Sequence, residues 1–565
     1  MNLEEMSQQE LVDLVKKIMS RKKYGLVWED EKTREIFNSE SQGAFPSLAE
    51  IQANSFNDKS SNSSDVLIEG DNYFALLILR YTHFEKIDTI YIDPPYNTGN
   101  NDFKYNDSFV LKDDVYRHSS WLAFMSKRLW LAKDLLKQSG IIVISIDDNE
   151  QANLKLLCDE VFGENNFIAC IPTVMNLKGN QDQFGFAGTH EYTLIYTKNK
   201  NSAEFRNLTI DEDKIEGDWE QDEVGWWKKG AGLKMTGINA PREKQPSLFF
   251  PVWVRPEGNE ISLEEIDGWD KILPITDGRE MSWRWSRNKF IRDKSDVIIS
   301  GATPNWTFYK KQRPEIGELP SKKPKSFFYR PEYSTTNGTN QVKAIFGEKI
   351  FDYPKPLDLI MDLFEITTTK NSLVLDFFAG SGTTGHAIRA LNSKDGGKRN
   401  YILVTNNDGN ICTEVCYPRL KKISSGFTDS SNRKVKGLGG SLRYFQVKFI
   451  QRSSNADEMK IRMTENCFDI LRLKENIFST VKLVEDKYVI FMEGDESLVV
   501  YFSFDHSHLN EVKKAIEELG SKKTKIYIFD FDSDNFSFAE FDNWNNVDIE
   551  VLPQKLISNF GEVIV

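Results

Sequence analysis

The chain has 565 residues, 39% hydrophobic and 28% charged, the profile of an ordinary globular protein, and at about 150 residues per domain it is too long for a single core. Its net charge of −13 argues against uniform coating of nucleic acid but leaves room for a local basic surface. No apolar run approaches the roughly 20 residues that span a bilayer, and the acidic opening MNLEEMSQQE does not read as a signal peptide, so a cytoplasmic location with no membrane partner is expected.

Residues 3–19 carry Leu3, Met6, Leu11, Leu14, Val15 and Ile18 near helical spacing, which predicts a docking helix in an N-terminal segment, 1–60. A polar stretch, NDKSSNSSD, follows as a linker. Strand and helix then alternate. VLIEGD reads as a strand, NYFALLILRYTHF as a helix and IDTIYID as a second strand. A long helix is predicted to end at Gly140 and feed the apolar strand IIVISID. Such alternation predicts a doubly wound, mostly parallel α/β sheet, with residues 61–200 as its first part.

The second strand ends abruptly in Asp93-Pro94-Pro95-Tyr96. Prolines lack the N–H that a ladder needs, so the strand stops at a rigid, exposed corner. A lone aspartate there could bind a metal or cap a turn. The prolines fix the backbone beside the carboxylate, and Tyr96 offers an aromatic face suited to a planar substrate.

From about residue 201 to 342 the pattern lapses into a stretch rich in Trp, Pro and Gly, which predicts an inserted domain. Between Met281 and Arg330 there are twelve Lys/Arg against four acids, interleaved with Trp283, Trp285, Trp306, Phe308 and Tyr309. A charge run is usually a solvated face. The interleaved aromatics keep a nucleic-acid surface open as the alternative, with Arg284, Arg287, Lys310, Lys311, Arg313, Lys322, Lys323 and Lys325 as its candidate contacts.

Alternation resumes over 343–452. In LVLDFFAGSGTTGHAI a buried strand meets Gly380 and Gly382 and then a helix, where glycines permit a tight turn and the helix start offers free N–H groups. An ordinary strand-to-helix turn also contains glycine. A P-loop is excluded because Gly382 is followed by Thr383 and Thr384 rather than Lys and Ser/Thr. In an open α/β sheet, ligands bind outside the carboxyl ends of the strands, and both the Asp93 corner and the glycine turn fall there.

Beyond QRSSNADE, residues 453–565 read as a small α/β segment. Asp530, Asp532 and Asp534 there have calcium-like spacing, but the glycine and downstream glutamate of a calcium loop are missing, so no metal site is expected. The five cysteines are an odd number, and Cys412 and Cys416 lack a second Cys/His pair, so structural thiols are expected.

DPPY (Asp93 to Tyr96) together with FAGSGT (Phe378 to Thr383) resembles the catalytic and cofactor motifs of S-adenosylmethionine-dependent DNA amino-methyltransferases. The order of the two motifs, with a large insertion between them, is similar to the permuted β class. EGDNYFALL, YNTGNNDFKYND, GIIVISIDDNE, THEYTLIYTKN, FGEKIFDYPKP, CTEVCYPRLKKI and RKKYGLVWED look like segments of modification subunits of type III restriction systems. The resemblance covers most of residues 20–450. It implies adenine-N6 methylation of a flipped base in double-stranded DNA, a target-recognition domain at 201–342, a homodimer and a possible restriction subunit. It also implies that Asp93, Pro94, Pro95 and Tyr96 are catalytic. Asp71, Asn72, Lys355, Asp376, Phe378, Ala379, Gly380, Ser381, Gly382, Thr383 and Asn406 would bind the cofactor. Cytosine-N4 methylation, methylation of RNA or protein glutamine, and a non-catalytic DNA-recognition subunit are the alternatives.

Overall fold

The computed structural model describes Ala44 to Leu552 except 58–63, 101, 106–107, 180–184, 211–218, 315–319, 454, 504–507, 531–543 and 545. It also describes Trp28, Thr33, Glu35 and Leu556. The expected helix at 3–19 and the acids Asp532 and Asp534 lie outside the described residues. Among the described residues no helix is long and apolar enough to cross a membrane.

One nine-stranded sheet organises the larger of two compact units. Its strands are β1 (Ala44–Glu50), β2 (Ser64–Glu69), β3 (Ile87–Ile92), β4 (Leu136–Ile146), β5 (Phe167–Val174), β6 (His190–Thr197), β7 (Leu373–Asp376), β8 (Asn400–Thr405) and β9 (Ser441–Gln451). They lie in the order β1-β9-β2-β8-β7-β3-β4-β6-β5. The six strands from β9 to β4 run parallel, β1 is antiparallel to β9, and β6 is antiparallel to both β4 and β5. Central strands such as β3 and β4 are apolar almost throughout because both faces are covered: Ile87, Ile90, Ile92, Ile142 and Ile144 have no exposed surface. This is the doubly wound, mostly parallel α/β architecture expected from the alternation.

The covering helices include α1 (Asn72–His83), α2 (Arg117–Leu135), α3 (Gln151–Phe162), α4 (Leu357–Thr367), α5 (Thr383–Asp395) and α6 (Tyr417–Ser425). Helix α2 stops at Leu135, five residues before the Gly140 expected from sequence. The cause is the ladder: Leu136 is already paired with Ile87 of β3. Strands β3 and β7 are adjacent, with Thr89 beside Val374 and Ile90 beside Leu375. From β3 the chain proceeds to β4 on one side, and from β7 it proceeds to β8 on the other. Their carboxyl ends therefore flank the switch point at which an open sheet leaves a crevice.

Residues Asn207–Pro324 form the second compact unit. It contains a four-stranded antiparallel sheet (Trp219–Asp222, Gly225–Gly232, Asn305–Gln312, Val297–Ala302) and a core of Leu233, Val252, Val254, Trp283, Phe290 and Phe308. It is shorter than the expected 201–342. Phe328 bridges to Thr173 of β5, and its N–H and C=O bond Pro172 and Val174, which ties the following segment to the large sheet.

The C-terminal segment builds a five-stranded sheet (Thr480–Val484, Tyr488–Glu493, Glu496–Tyr501, Lys523–Phe529, Val547–Leu552) with the helix Leu509–Leu519 on one face. Alternate residues serve opposite faces. Ile490, Val499, Ile526 and Ile528 pack under that helix with Leu509 and Val512, while Phe491, Leu498, Val500 and Tyr527 join the core of the large sheet.

Candidate active site

Asp93 closes β3, and the corner behind it is held from several directions. The Trp121 indole N–H donates to the Pro95 carbonyl at 2.8 Å. Asn97, buried and in the left-handed region at φ 56°, donates to the Arg117 carbonyl and to Glu150 Oε1. Glu150 is buried too, which raises its carboxyl above the ordinary range, and it also meets His118 and Asn153. Asparagine tolerates this backbone conformation better than most residues, and here its side chain is fixed as well. Among the described residues the Pro94 carbonyl makes no hydrogen bond, so it remains an open acceptor beside Asp93.

In front of the corner lies a four-residue cluster. Lys355 Nζ is 3.0 Å from Asp93 Oδ1, 3.2 Å from Glu191 Oε2 and 2.6 Å from the Tyr96 hydroxyl, which in turn donates to Glu191 Oε2 at 3.0 Å. Burial, and then the Asp93 charge, push the Tyr96 phenol well above its usual pKa, so it keeps its proton. Burial alone would lower the Lys355 ammonium, but Asp93 and Glu191 outweigh it and hold it raised. Burial raises Glu191 as well. Lys355, expected among the cofactor-binding residues, stands against the Asp93 carboxylate. Glu191 was not singled out from sequence, although an acid opening the buried strand HEYTLIYT is a signal, since a charge on such a strand needs a partner.

On the neighbouring strand, Asp376 ends β7 and accepts from Phe378 N–H at 2.9 Å and the Thr384 hydroxyl at 2.6 Å. Burial pushes its carboxyl up to about 7. The turn closes with Gly382 N–H on the Ala379 carbonyl at 2.7 Å, with Gly380 at φ 48° and Gly382 at φ 77°. A side chain at Gly382 would start 3.1 Å from Cys416 Sγ, so the backbone needs both the conformation and the space that glycine allows. Gly382 caps α5 without a side chain, which leaves the first N–H groups of that helix for a ligand. Arg419, fully buried, supports the turn from beneath through Ser381 Oγ at 3.0 Å and Thr383 Oγ1 at 2.9 Å, and burial lowers its pKa to about 10.

Asp71 caps α1 by accepting from Tyr73 N–H at 2.7 Å. Asn72 is bound at both ends: it donates to the Phe377 carbonyl and accepts from Arg128 Nε. That bonding braces the start of the glycine turn. Asn406 is exposed just past β8, while Asn407 turns inward to take Thr413 N–H and Oγ1. These residues fit a ligand with polar ends. Free helix N–H groups, a half-buried Phe378 and the exposed Asn406 surround the carboxyl ends of β7 and β8.

Within the second unit the interleaved pattern resolves differently from expectation. Trp283, Trp285 and Phe308 are core residues, and Trp306 donates to Asp270. Lys311 and Arg313 are drawn into ion pairs with Asp222 at 2.7 and 2.6 Å, and Arg313 also reaches Asp296 at 2.8 Å. Both side chains are thus paired within this unit and keep part of their surface exposed. Arg284 touches Thr236, Arg287 touches the Leu263 carbonyl, and Lys310 is half-buried. Lys322 and Lys323 are exposed, as is Lys325 just beyond the unit.

The family model described as DNA methylase matches residues 87–415, a span that begins with β3 and runs beyond the glycine turn. The chain belongs to the DNA methylase family. Among relatives, the Mod subunit of the type III restriction-modification enzyme EcoPI of Escherichia phage P1 is 43% identical over 389 residues, covering 64% of this chain and 60% of that protein. The type II methyltransferase M.KpnI of Klebsiella pneumoniae is 35% identical over 393 residues, covering 66% and 91%. The Mod subunit of StyLTI from Salmonella typhimurium is 31% identical over 374 residues, covering 61% and 53%. This methylase thus spans less than two thirds of both Mod subunits.

Proposed function

We propose that the methylase transfers a methyl group from S-adenosylmethionine to the N6 amino group of an adenine flipped out of duplex DNA, as the modification subunit of a type III system. The observation that carries this reading is the pair of acceptors at one corner, the Asp93 carboxylate, met by Lys355 at Oδ1, and the open Pro94 carbonyl, beside the glycine turn of the adjacent strand. Adenine N6 is a poor nucleophile because its lone pair is delocalised into the ring. Two acceptors for its two hydrogens draw electron density back onto nitrogen, and Asp93 also faces the positive charge that develops there. Tyr96 offers the base an aromatic face. When bound, S-adenosylmethionine supplies a methyl group on positively charged sulfur, and the C–S electron pair stays on sulfur as the N–C bond forms. The N6–H bond to the surplus proton then breaks, its electron pair stays on nitrogen, and the proton passes by way of the adjacent Asp93 carboxylate to water. Acceptors on both N6 hydrogens and an aromatic face on the ring cannot be offered to a base paired and stacked inside a duplex, so flipping is required at a cost of a few kcal/mol.

Nucleoside analysis of methylated DNA tests the target: N6-methyldeoxyadenosine is expected. N4-methyldeoxycytidine, the second reading, follows from the same acceptors because cytosine also carries an exocyclic amino group, and its appearance would overturn the adenine assignment. Gly380→Val is expected to abolish cofactor binding in calorimetry, because a β-branched residue cannot hold φ 48° and the turn must open. Unchanged affinity would remove the glycine turn from the cofactor site.

Sequence-specific binding is assigned to the insertion. Neutralising Lys322, Lys323 and Lys325 together should weaken binding to all sequences and reduce the salt slope by up to roughly three phosphate contacts. An unaltered slope would exclude these lysines from the interface. A homodimer and pairing with a restriction subunit complete the proposal, and light scattering showing a strict monomer with and without DNA would remove the first of these.

A further inference from the structure

Lys355 covers the acceptor that the reaction needs. Its ammonium stands 3.0 Å from Asp93 Oδ1, where an N6 hydrogen of the target would point. An amino group can take that oxygen only if Lys355 gives way.

The three contacts of Nζ are unequal. Those to the Tyr96 hydroxyl at 2.6 Å and Glu191 Oε2 at 3.2 Å are hydrogen bonds. The contact with Asp93 is an ion pair at 3.0 Å, and the buried Oδ1 has no other partner among the described residues. That oxygen is available to a better-aligned donor. Lys355 is about nine-tenths buried and cannot simply withdraw without losing its counter-charge. A second seat is present. Glu191 is 8% exposed, and its other oxygen, Oε1, is buried with no hydrogen-bond partner. A small shift of Nζ toward Glu191 would satisfy Oε1, retain the contact with Oε2 and uncover Asp93.

We propose that Lys355 is a latch over Asp93 and that Glu191 is its alternative counter-ion, a positioning residue that lets an arriving exocyclic amino group displace the ammonium. This rests on the reading of Asp93 as the acceptor for the target amino group, but it holds for adenine and cytosine alike. Without a target base the cluster stays electrically paired, and Asp93 Oδ1 is given up only to a donor able to replace the ammonium. In the filled site Asp93 and Glu191 each hold one partner, so neither carboxylate is left buried and unpaired.

A double-mutant cycle tests it, using single-turnover methyl transfer by the full chain on duplex DNA together with calorimetric S-adenosylmethionine binding. Glu191→Gln keeps the shape but removes the charge, so Lys355 stays on Asp93. The methyl-transfer rate should fall roughly 10- to 100-fold, the range of a hydrogen bond to a charged group, with cofactor affinity within about twofold of wild type. Lys355→Met alone leaves two carboxylates sharing one site and is also slow. The combined variant removes latch and seat together, leaves Asp93 as a lone open carboxylate, and should be faster than either single variant. Losses that multiply in the double variant, or a Glu191→Gln enzyme as fast as wild type, would overturn the latch. A wild-type enzyme that methylates cytosine N4 would instead overturn the adenine reading and leave the cycle to decide the latch.

Discussion

Asp93→Asn is expected to slow methyl transfer by roughly 10²–10³-fold while S-adenosylmethionine binds within about twofold of normal, because the side chain acts on charge that develops only during the reaction. The amide keeps the volume of the carboxylate but loses its charge, and its NH2 group would face the N6 hydrogens with hydrogens of its own. Lys355 loses one counter-ion and keeps Glu191 at 3.2 Å, so the cluster should persist. Asp376 on the neighbouring strand makes no bond to Asp93 and is satisfied by Phe378 N–H and the Thr384 hydroxyl. Single-turnover rates and calorimetric titration of the same preparations separate the two effects. A large loss of cofactor affinity with little change in rate would move Asp93 out of the base-binding corner.

What the sequence disclosed, and what it hid, follows from how far apart in the chain the interacting groups lie. Strand β3, the proline corner and the glycine turn are local: an apolar run bounded by residues that lack an N–H or permit positive φ announces itself within a dozen positions. The alternation of such runs with helices was enough to name the doubly wound sheet. Glu191 and Lys355 lie 164 positions apart and meet only after β6 and the segment before α4 are both docked. Nothing near either residue specifies the other. The charge count over Met281 to Arg330 does not register Asp222, which pairs with Lys311 and Arg313 from outside that window. The aromatics of that stretch follow strand packing: in Asn305–Gln312 the Phe308 side chain enters the core while Thr307 is exposed. Window statistics do not know which face is inside.

Arg128 is the second such residue, and its replacement should be the most destabilising change near the site. It is fully buried on α2, its guanidinium 3.6 Å from the centre of the Phe124 ring. Nη2 reaches Glu35 Oε1 at 2.9 Å, Nη1 reaches Glu35 Oε2 at 3.2 Å and the Phe124 carbonyl at 2.9 Å, and Nε donates to Asn72 at 2.5 Å. This forked arrangement matches a guanidinium and no other side chain. Arg128→Met fills the space but leaves Glu35, whose side chain is only 8% exposed, as a buried acid with Lys127 at 3.4 Å as its remaining cation. Breaking a buried pair from one side costs about 3–5 kcal/mol, which should lower the urea midpoint markedly. Asn72 would also lose the partner that orients it toward the Phe377 carbonyl, so S-adenosylmethionine affinity should drop with the stability. Adding Glu35→Leu removes the stranded charge and should recover much of the midpoint, while Asn72 remains unsupported and the cofactor affinity stays low. A double variant no more stable than Arg128→Met would mean that the ion pair is not what the arginine contributes, and that its stacking on Phe124 carries the stability instead.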